Sequence, residues 1–193
     1  MPKKILIVLG HPHSQSLCGG LARAYEEGAQ SAGAETRVIR LGDLAFDPVT
    51  PRYGAHAELE PDLQHFQNAL HWAEHLAFVY PVWWGGAPEP FKCALERVLL
   101  PGFAFKYHEK GSGWDRLLAG RSGELIVTMD TPPWIYRYLN GAAADRVMAK
   151  RTLEFCGVKP VRATHFGSVR ASTPEKRADW IETAYQRGAK AAA

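Results

Sequence analysis

Three short segments combine residues that could bind a phosphate or a flat aromatic ring, and each directly follows an apolar run. Residues 10–16 read Gly-His-Pro-His-Ser-Gln-Ser, residues 81–90 hold two adjacent tryptophans and two glycines, and residues 128–138 hold two prolines and three aromatic residues. Apolar runs of this kind are typical of buried strands. Open α/β sheets bind ligands outside the carboxyl ends of their strands, so chemistry is expected in these three loops.

The first loop leads straight into a predicted helix. A helix N-terminus presents free N–H groups and partial positive charge, which favour a phosphate. Ser14 and Ser16 add hydroxyl groups, and His11 adds an imidazole N–H. The glycine-rich dinucleotide pattern and the Walker pattern are both missing, so a nucleoside triphosphate is not expected. The structural alternative is that Ser16 caps the helix and His11 holds the loop together.

The second loop places Trp83 and Trp84 beside Gly85 and Gly86. Neighbouring residues of an extended segment point in different directions, so packing in the core does not account for both indoles. They could form the wall of a slot for a flat ring, whose polar edge the backbone N–H groups of this loop could reach. The alternative is an aromatic cluster at a subunit interface, where tryptophan is enriched. The third loop, with Tyr136, allows the same two interpretations.

Strands alternate with helices along the whole sequence. Apolar runs predict five strands, at 5–9, 35–41, 75–80, 124–128 and 161–166. Helical spacing predicts helices at 16–32, 61–72, 90–100 and 140–155, with a last helix that begins at a capping box in residues 172–175. This alternation predicts an α/β, flavodoxin-like fold: a five-stranded parallel sheet of order 2-1-3-4-5 with helices on both faces.

The connections of this predicted fold contain no linker or internal repeat. We therefore expect residues 1–193 to form a single domain. The stretches 42–60 and 101–123 are predicted to be irregular connections, and residues 191–193 are predicted to fray.

Composition excludes several classes of protein. Hydrophobic residues make up 46% of the chain and charged residues 22%, with a net charge of +3, which is typical of a globular domain and does not indicate nucleic-acid binding. No apolar run approaches the ~20 residues of a membrane span, and the N-terminal run reads as a strand rather than a signal peptide. A Gly-x-Ser-x-Gly elbow is missing, which argues against an α/β-hydrolase.

The cysteines and histidines do not predict a metal site or disulfides. Three distant cysteines fit neither pattern, so a reduced, cytoplasmic setting is expected. Cys18 falls in the first turn of a helix, but a small buried residue is the favoured interpretation. The residues considered were Cys18, Cys93, Cys156, His56, His65, His71 and His75.

Two segments together resemble the NAD(P)H:quinone oxidoreductases with a flavodoxin-like fold, a family that includes animal and bacterial quinone reductases and potassium-efflux ancillary flavoproteins. The first runs from Ile5 to Pro12 and includes Ser16; the second runs from Phe78 to Pro88 and continues through Lys92, residues 96–98 and residues 101–105. The resemblance extends over nearly the whole chain. It implies a flavin-dependent enzyme that passes two electrons from NAD(P)H to a quinone-like acceptor by a ping-pong mechanism. It also implies a homodimer in which the partner chain completes each flavin site.

The same resemblance assigns roles to individual residues. It implies that the flavin phosphate is held by His11, Ser16, Leu17 and Cys18. It implies that the isoalloxazine ring lies along Pro81, Val82, Trp83, Trp84 and Gly85, with a further flavin contact at Thr128. Tyr136 is implied to lie near the flavin edge and to act catalytically, by assisting charge movement during hydride transfer.

The chain departs from the family pattern at two places. The Thr-Thr-Gly-Gly type loop of the family reads Thr128-Met129-Asp130-Thr131 here, and the histidine that follows the tyrosine in animal enzymes has no counterpart in residues 139–142. Substrate preference is therefore expected to differ. FMN is favoured and FAD is possible, because the long C-terminal extension of the animal FAD enzymes is missing.

Two other functions compete with the enzyme. In one, the chain is a flavin-binding regulatory subunit of an ion-efflux system, with incidental reductase activity. In the other, it is a receiver-like α/β domain without flavin. The second lacks support, because Gly-His-Pro-His follows the first strand where an acidic cluster is needed.

Overall fold

The computed structural model describes residues 1–49 and 58–193, in which a central parallel sheet is covered by helices. The strands of this sheet are β1 (Lys4–Leu9), β2 (Glu35–Arg40), β3 (His75–Pro81), β6 (Ser122–Thr128) and β7 (Val161–Phe166). They lie in the order β2-β1-β3-β6-β7. This arrangement confirms the predicted five-stranded flavodoxin-like order. A separate antiparallel pair is formed by β4 (Phe105–Tyr107) and β5 (Trp114–Arg116).

The helices connect these strands in the expected alternation. A π-helical segment, Arg146–Leu153, joins α5 to α6, and short 3₁₀ turns occur at Leu41–Asp43 and Val169–Ala171. The helices are α1 (Leu17–Ser31), α2 (Pro61–Trp72), α3 (Glu89–Val98), α4 (Pro133–Tyr138), α5 (Ala143–Asp145), α6 (Glu154–Cys156) and α7 (Pro174–Ala192). Within the described ranges, no helix is both long enough and apolar enough to cross a lipid bilayer.

The apolar runs of the central strands are continuous because both faces of the sheet are covered. Successive side chains of β1 enter different cores: Leu6 and Val8 pack with α2 and α3, whereas Ile5 and Ile7 pack with α1 and α7. All seven residues of β3 are buried. Because helices cover both faces of the sheet, the loops that follow the strands lie at its carboxyl end, where they can form a site.

The structure corrects three sequence predictions. Residues 101–123 are not wholly irregular, since they contain the β4–β5 hairpin, whose three-residue strands are too short to produce a readable pattern. The stretch 133–138 is a helix rather than a loop, and its proline occupies the first helical position, where the missing N–H costs nothing. The last helix runs to Ala192 instead of fraying at 191.

Several element boundaries also differ in detail. The helix predicted at 90–100 is Glu89–Val98, and the strand predicted at 124–128 is Ser122–Thr128. The helix predicted at 140–155 begins at Ala143 and contains the π-helical segment. Within the predicted connection 42–60, Leu41–Asp43 forms a 3₁₀ turn, and residues 50–57 lie outside the described residues, as does His56.

Candidate functional site

Backbone hydrogen bonds continue beyond the strand ends and tie the three candidate loops together. The N–H of Gly10 donates to the carbonyl of Val79 at 2.8 Å, which fixes the first loop to β3. The N–H of Val82 donates to Thr128 at 2.8 Å, which fixes the second loop to the third. The loops therefore start from one rigid edge of the sheet.

The loops border a single cleft of about 210 Å³ at this edge. Eight of the ten residues predicted to bind the cofactor line it, whereas Trp84 and Gly85 lie outside the lining. The lining comprises His11, Ser16, Leu17, Cys18, Pro81, Val82, Trp83, Thr128, Met129, Asp130 and Val169. Sequence reasoning missed Val169, which arrives from the turn after β7 and carries no signal of its own.

Ser16 is the N-cap of α1, as the alternative interpretation of this residue as a helix cap predicted. Its hydroxyl oxygen accepts the N–H of Gly19 at 3.1 Å, and its hydroxyl proton is donated to the carbonyl of His13 at 2.8 Å. The N–H groups of Leu17 and Cys18 belong to the first turn, which leaves amides without intrahelical partners. Because both residues line the cleft, the positive end of α1 faces it.

His11 lies at the mouth of the same loop. Its Nδ1 lies 2.9 Å from the backbone N–H of His13 and 3.0 Å from the carbonyl oxygen of His13. Either neutral tautomer therefore makes one hydrogen bond within the loop. Burial lowers the pKa of His11, which favours the neutral form. The imidazole also meets the Trp83 indole edge-on, with ring centroids 5.6 Å apart.

The two tryptophans diverge within a tight turn. Trp83 and Gly86 exchange two backbone hydrogen bonds of 2.9 and 3.0 Å, and the residues between them have positive φ, as in a type I′ turn. A tryptophan at φ 50° is strained. Trp83 faces the cleft, whereas the indole of Trp84 is fully exposed. No described residue accepts from the N–H groups of Trp84 and Gly85, so these two amides are the ones that could reach a ring.

A hydrogen-bonded pair links the first and third loops below the cleft. The Sγ of Cys18 and the Oγ1 of Thr128 lie 3.2 Å apart. Burial raises the pKa of the Cys18 thiol to about 11, so it remains protonated at neutral pH. Cys18 is therefore a small buried residue rather than a nucleophile, as the sequence favoured.

The cleft carries little charge. Of the described residues that line it, Asp130 alone has a formal charge, and its Oδ1 accepts the N–H of Arg170 at 2.8 Å. This contact fastens the Val169–Ala171 turn to the third loop. The polar groups that remain are neutral O–H and N–H donors, which suit an anionic or dipolar ligand. Within the same described part of the chain, no group of three or more His, Cys, Asp or Glu residues is placed to hold a metal ion.

Tyr136 is buried on α4 and does not line the cleft. Its hydroxyl donates to Oδ1 of Asp145 at 3.0 Å and accepts the N–H of Asp145 at 3.1 Å. Burial, followed by the charge of Asp145, raises the pKa of Tyr136 above its ordinary value. The second oxygen of Asp145 lies 2.6 Å from Nε2 of His165. The catalytic role of Tyr136 remains a prediction.

The chain has relatives with known names. The family described as Flavodoxin-like fold matches residues 3–190. An uncharacterized NAD(P)H oxidoreductase of Haemophilus influenzae is 27% identical and covers 94% of this chain and 92% of its own length. NAD(P)H dehydrogenase (quinone) 1 of Cavia porcellus is 27% identical over 80% of this chain and 65% of its own length.

A solved structure has the same architecture. The FMN-dependent NADH-azoreductase of Bacillus anthracis, crystallised with FMN, superposes with a TM-score of 0.76 at 17% identity. The superposition covers 99% of this chain and 100% of the azoreductase. At this identity the likeness reports a shared fold.

Proposed function

Because the chain belongs to the flavodoxin-like fold family, we propose that it is a flavin-dependent oxidoreductase that passes two electrons from NAD(P)H to a quinone or a related acceptor. One observation carries this proposal: the loops after β1, β3 and β6 meet at one cleft that joins a helix N-terminus to an aromatic wall. The two curated relatives are named as NAD(P)H-dependent enzymes, in keeping with that chemistry.

The donor set of the first loop fits a flavin phosphate. The first-turn amides of Leu17 and Cys18 would hold it, with the His11 imidazole beside them. The Ser16 hydroxyl would join them by turning its proton from the His13 carbonyl to the phosphate. Asp130, the one lining residue with a formal charge, belongs to the third loop, whereas these donors belong to the first. The FMN carried by the azoreductase with the same fold favours FMN over FAD.

The second loop fits the flat ring. Trp83 supplies an apolar wall beside Pro81 and Val82, and the amides of Trp84 and Gly85 at the tip of the turn would meet the ring's polar edge. Donors of this kind stabilise negative charge that develops on reduction. When bound, the flavin supplies the acceptance and donation of hydride; the protein positions it.

The proposed reaction uses one flavin ring for both substrates. NAD(P)H would reduce the ring and leave, and the acceptor would then take its place. Double-reciprocal plots at several fixed acceptor concentrations should therefore give parallel lines. Intersecting lines would contradict this alternation.

The open side of the cleft favours a homodimer. The second and third loops expose large apolar side chains, among them Trp84, Trp134 and Tyr138. Exposed aromatic side chains of this kind are enriched at protein interfaces. A second copy that covers these side chains would complete the wall that one chain leaves open.

Two cap variants test the phosphate site directly. Ser16→Ala and Thr173→Ala each remove an N-cap hydroxyl, from α1 and from α7, and each should lower the free energy of unfolding by about 1 kcal/mol. Only Ser16 lines the cleft, so Ser16→Ala alone should weaken FMN binding, by at least about tenfold for a hydrogen bond to a charged group. The measurement is FMN titration of the apo-protein by flavin fluorescence.

Equal FMN affinities of the two variants would contradict the assigned phosphate site. A protein that stays colourless after incubation with FMN and FAD would contradict the proposed function itself. Flavin binding with NAD(P)H-dependent bleaching but negligible turnover of quinones and azo dyes would favour the alternative, a flavin-binding regulatory subunit of an ion-efflux system.

A further inference from the structure

The first loop of the candidate site rests against a turn that lies outside the cleft. Gly42, in the 3₁₀ turn after β2, faces the carbonyl group of Pro12 so closely that a Cβ at this position would lie 2.2 Å from the Pro12 oxygen. Neither residue lines the cleft. Since Cβ atoms do not approach other atoms closer than 3.0 Å, only glycine allows the turn and the loop to lie this close together.

The peptide that Gly42 contacts leads directly into the residues that face the cleft. His13 follows Pro12, and its carbonyl oxygen accepts the hydroxyl proton of Ser16 at 2.8 Å. The same oxygen lies 3.0 Å from Nδ1 of His11, and the N–H of His13 lies 2.9 Å from that nitrogen. His13 therefore holds both polar side chains of the first loop that line the cleft. A displacement at Pro12 would move these two side chains together.

On its other side the first loop is backed by α1. A Cβ at Gly19, in the first turn of this helix, would lie 1.8 Å from the carbonyl oxygen of Ser14. The loop is thus held between two glycines, one on α1 and one on the turn after β2. Groups packed this closely leave little free volume, so they transmit a displacement instead of absorbing it.

The turn after β2 is the rigid member of this contact. Leu41, its first residue, is buried in the core that also contains the inner face of α3. The chain that follows the turn is fastened to the start of α2. The N–H of Ala45 donates to the Asp62 carboxylate at 2.7 Å. The N–H of Asp47 donates to the Glu60 carboxylate at 3.1 Å, so a retreat of the turn from the loop would break these contacts.

A buried arginine completes the clamp on this segment. Arg97 of α3 forms two hydrogen bonds with the Glu60 carboxylate, at 2.6 and 3.2 Å, and also donates to the carbonyl of Asp47. The Arg97 side chain is only 6% exposed, so loss of the carboxylate would leave a buried charge without its partner. Because α3 follows the second loop, the clamp fixes the turn to the helix that carries that loop.

We propose that Gly42 is a positioning residue for phosphate binding by the first loop, and that Arg97 and Glu60 act with it by holding the turn in place. Gly42 allows the close approach, and the clamp keeps the turn from retreating. The Pro12–His13 peptide carries this constraint to the side chains that face the cleft. None of these residues lines the cleft itself. The inference rests on the proposed function, because it takes the first loop as the site of the flavin phosphate.

Two glycine variants separate positioning from stability. Gly42→Ala brings a Cβ to 2.2 Å from a carbonyl oxygen of the first loop, and Gly28→Ala brings one to 2.0 Å from the Tyr185 oxygen between α1 and α7. Both should lower the melting temperature of the apo-protein. Only Gly42→Ala should weaken FMN binding, by about tenfold to hundredfold, since misplacement of a site by roughly 1 Å has effects of this size. The measurement is FMN titration at a temperature where both variants are folded.

A second pair of variants tests the clamp and serves if Gly42→Ala does not fold. Glu60→Gln removes the charge that Arg97 binds, whereas Glu182→Gln removes an exposed carboxylate of α7 that contacts Gln186. Glu60→Gln should weaken FMN binding by at least about threefold, because the loosened turn no longer fixes the loop, and Glu182→Gln should keep the wild-type affinity. Equal affinities of these two variants, or a loss in Gly28→Ala as large as that in Gly42→Ala, would overturn the inference.

The displacement of the loop can also be observed without flavin. In ¹H–¹⁵N spectra of the apo-protein, Gly42→Ala should shift the amide resonances of residues 11–16, and Gly28→Ala should leave them in place. Resonances that stay unshifted in Gly42→Ala would overturn the inference even if flavin binding and turnover stand. Conversely, a protein that binds neither FMN nor FAD refutes the proposed function, while these spectra still test the contact between the turn and the loop.

Discussion

His75 should make the protein lose stability between pH 6.5 and pH 4. The side chain is buried at the first position of β3, where its Nδ1 lies 2.7 Å from the hydroxyl of Ser122 and its Nε2 lies 3.0 Å from that of Tyr25. The hydroxyl of Tyr25 donates onward to Glu124 at 3.3 Å. All these groups are satisfied when the imidazole is neutral: Ser122 donates to Nδ1, and Nε2–H donates to Tyr25. A second ring proton could be accepted only if the Ser122 hydroxyl turned its own proton away.

The size of the stability loss follows from the lowered pKa of His75. Burial, followed by the positive charges of Lys3, Arg187 and Arg162, lowers the pKa of His75 from 6.5 to about 4. Between these values the unfolded chain binds a proton that the folded protein refuses, so stability is complete above pH 6.5 and falls as the pH drops toward 4. At pH 4.5 the loss amounts to about 2.5 kcal/mol, a large share of the roughly 5–15 kcal/mol that stabilise a domain.

The assay is urea unfolding followed by circular dichroism at pH 7 and pH 4.5. The free energy of unfolding of wild type should drop between the two conditions by about 2.5 kcal/mol more than that of His75→Gln. His65→Gln is the matched control, since it removes an exposed histidine of α2 and should keep the wild-type pH dependence. Comparison with wild type cancels the carboxylates that also titrate in this range. A His75→Gln variant whose stability falls as steeply as that of wild type would refute the reasoning.

Two further substitutions give sharp contrasts. Gly28→Ala should destabilise the protein by more than about 3 kcal/mol in a thermal melt, because the new Cβ would lie 2.0 Å from the backbone oxygen of Tyr185 where α1 crosses α7. Gly20→Ala is the control. Its new Cβ meets only the end of a flexible side chain, at 3.1 Å, so this variant should melt almost like wild type. Trp84→Gly should raise the free energy of unfolding by about 1 kcal/mol, since glycine accepts the positive φ without strain, while weakening FMN binding if the indole lies along the ring. A variant that is stabilised but binds FMN with wild-type affinity would remove Trp84 from the predicted flavin contacts.

The sheet was predictable because its signals are local. Residues 5–9 of β1 and 76–79 of β3 are buried and read as uninterrupted apolar runs, and β7 and α2 begin and end where the sequence predicted. The hairpin of β4 and β5 was not predictable from its own residues. What fixes it is a distant contact: the Trp114 indole stacks on Phe155 with centroids 4.6 Å apart and donates to the Phe155 carbonyl.

The candidate site also has a part that the sequence predicts and a part that it does not. Loops that follow strands could be located from the sequence, so most of the cleft lining was predicted. Val169 could not be found, because it joins the site only through the pairing of β6 with β7. Which backbone amides of the second loop could reach a ring could be seen only from the geometry of the turn. Trp83 and Gly86 bond to each other, and the N–H groups of Trp84 and Gly85 remain at the tip of the turn.

Two polar clusters lie at opposite ends of the sheet, and their difference indicates which end carries the chemistry. At the amino end, Glu124 is buried, yet it accepts from Tyr25, Thr164 and Arg187, so a costly charge is fully paired. At the carboxyl end, Tyr80 remains without a partner among the described residues, next to a carboxylate that two other side chains share. A closed network stabilises one arrangement and has nothing left to offer a ligand. The unpaired hydroxyl of Tyr80 lies on the strand that leads into the second loop, although it does not line the cleft.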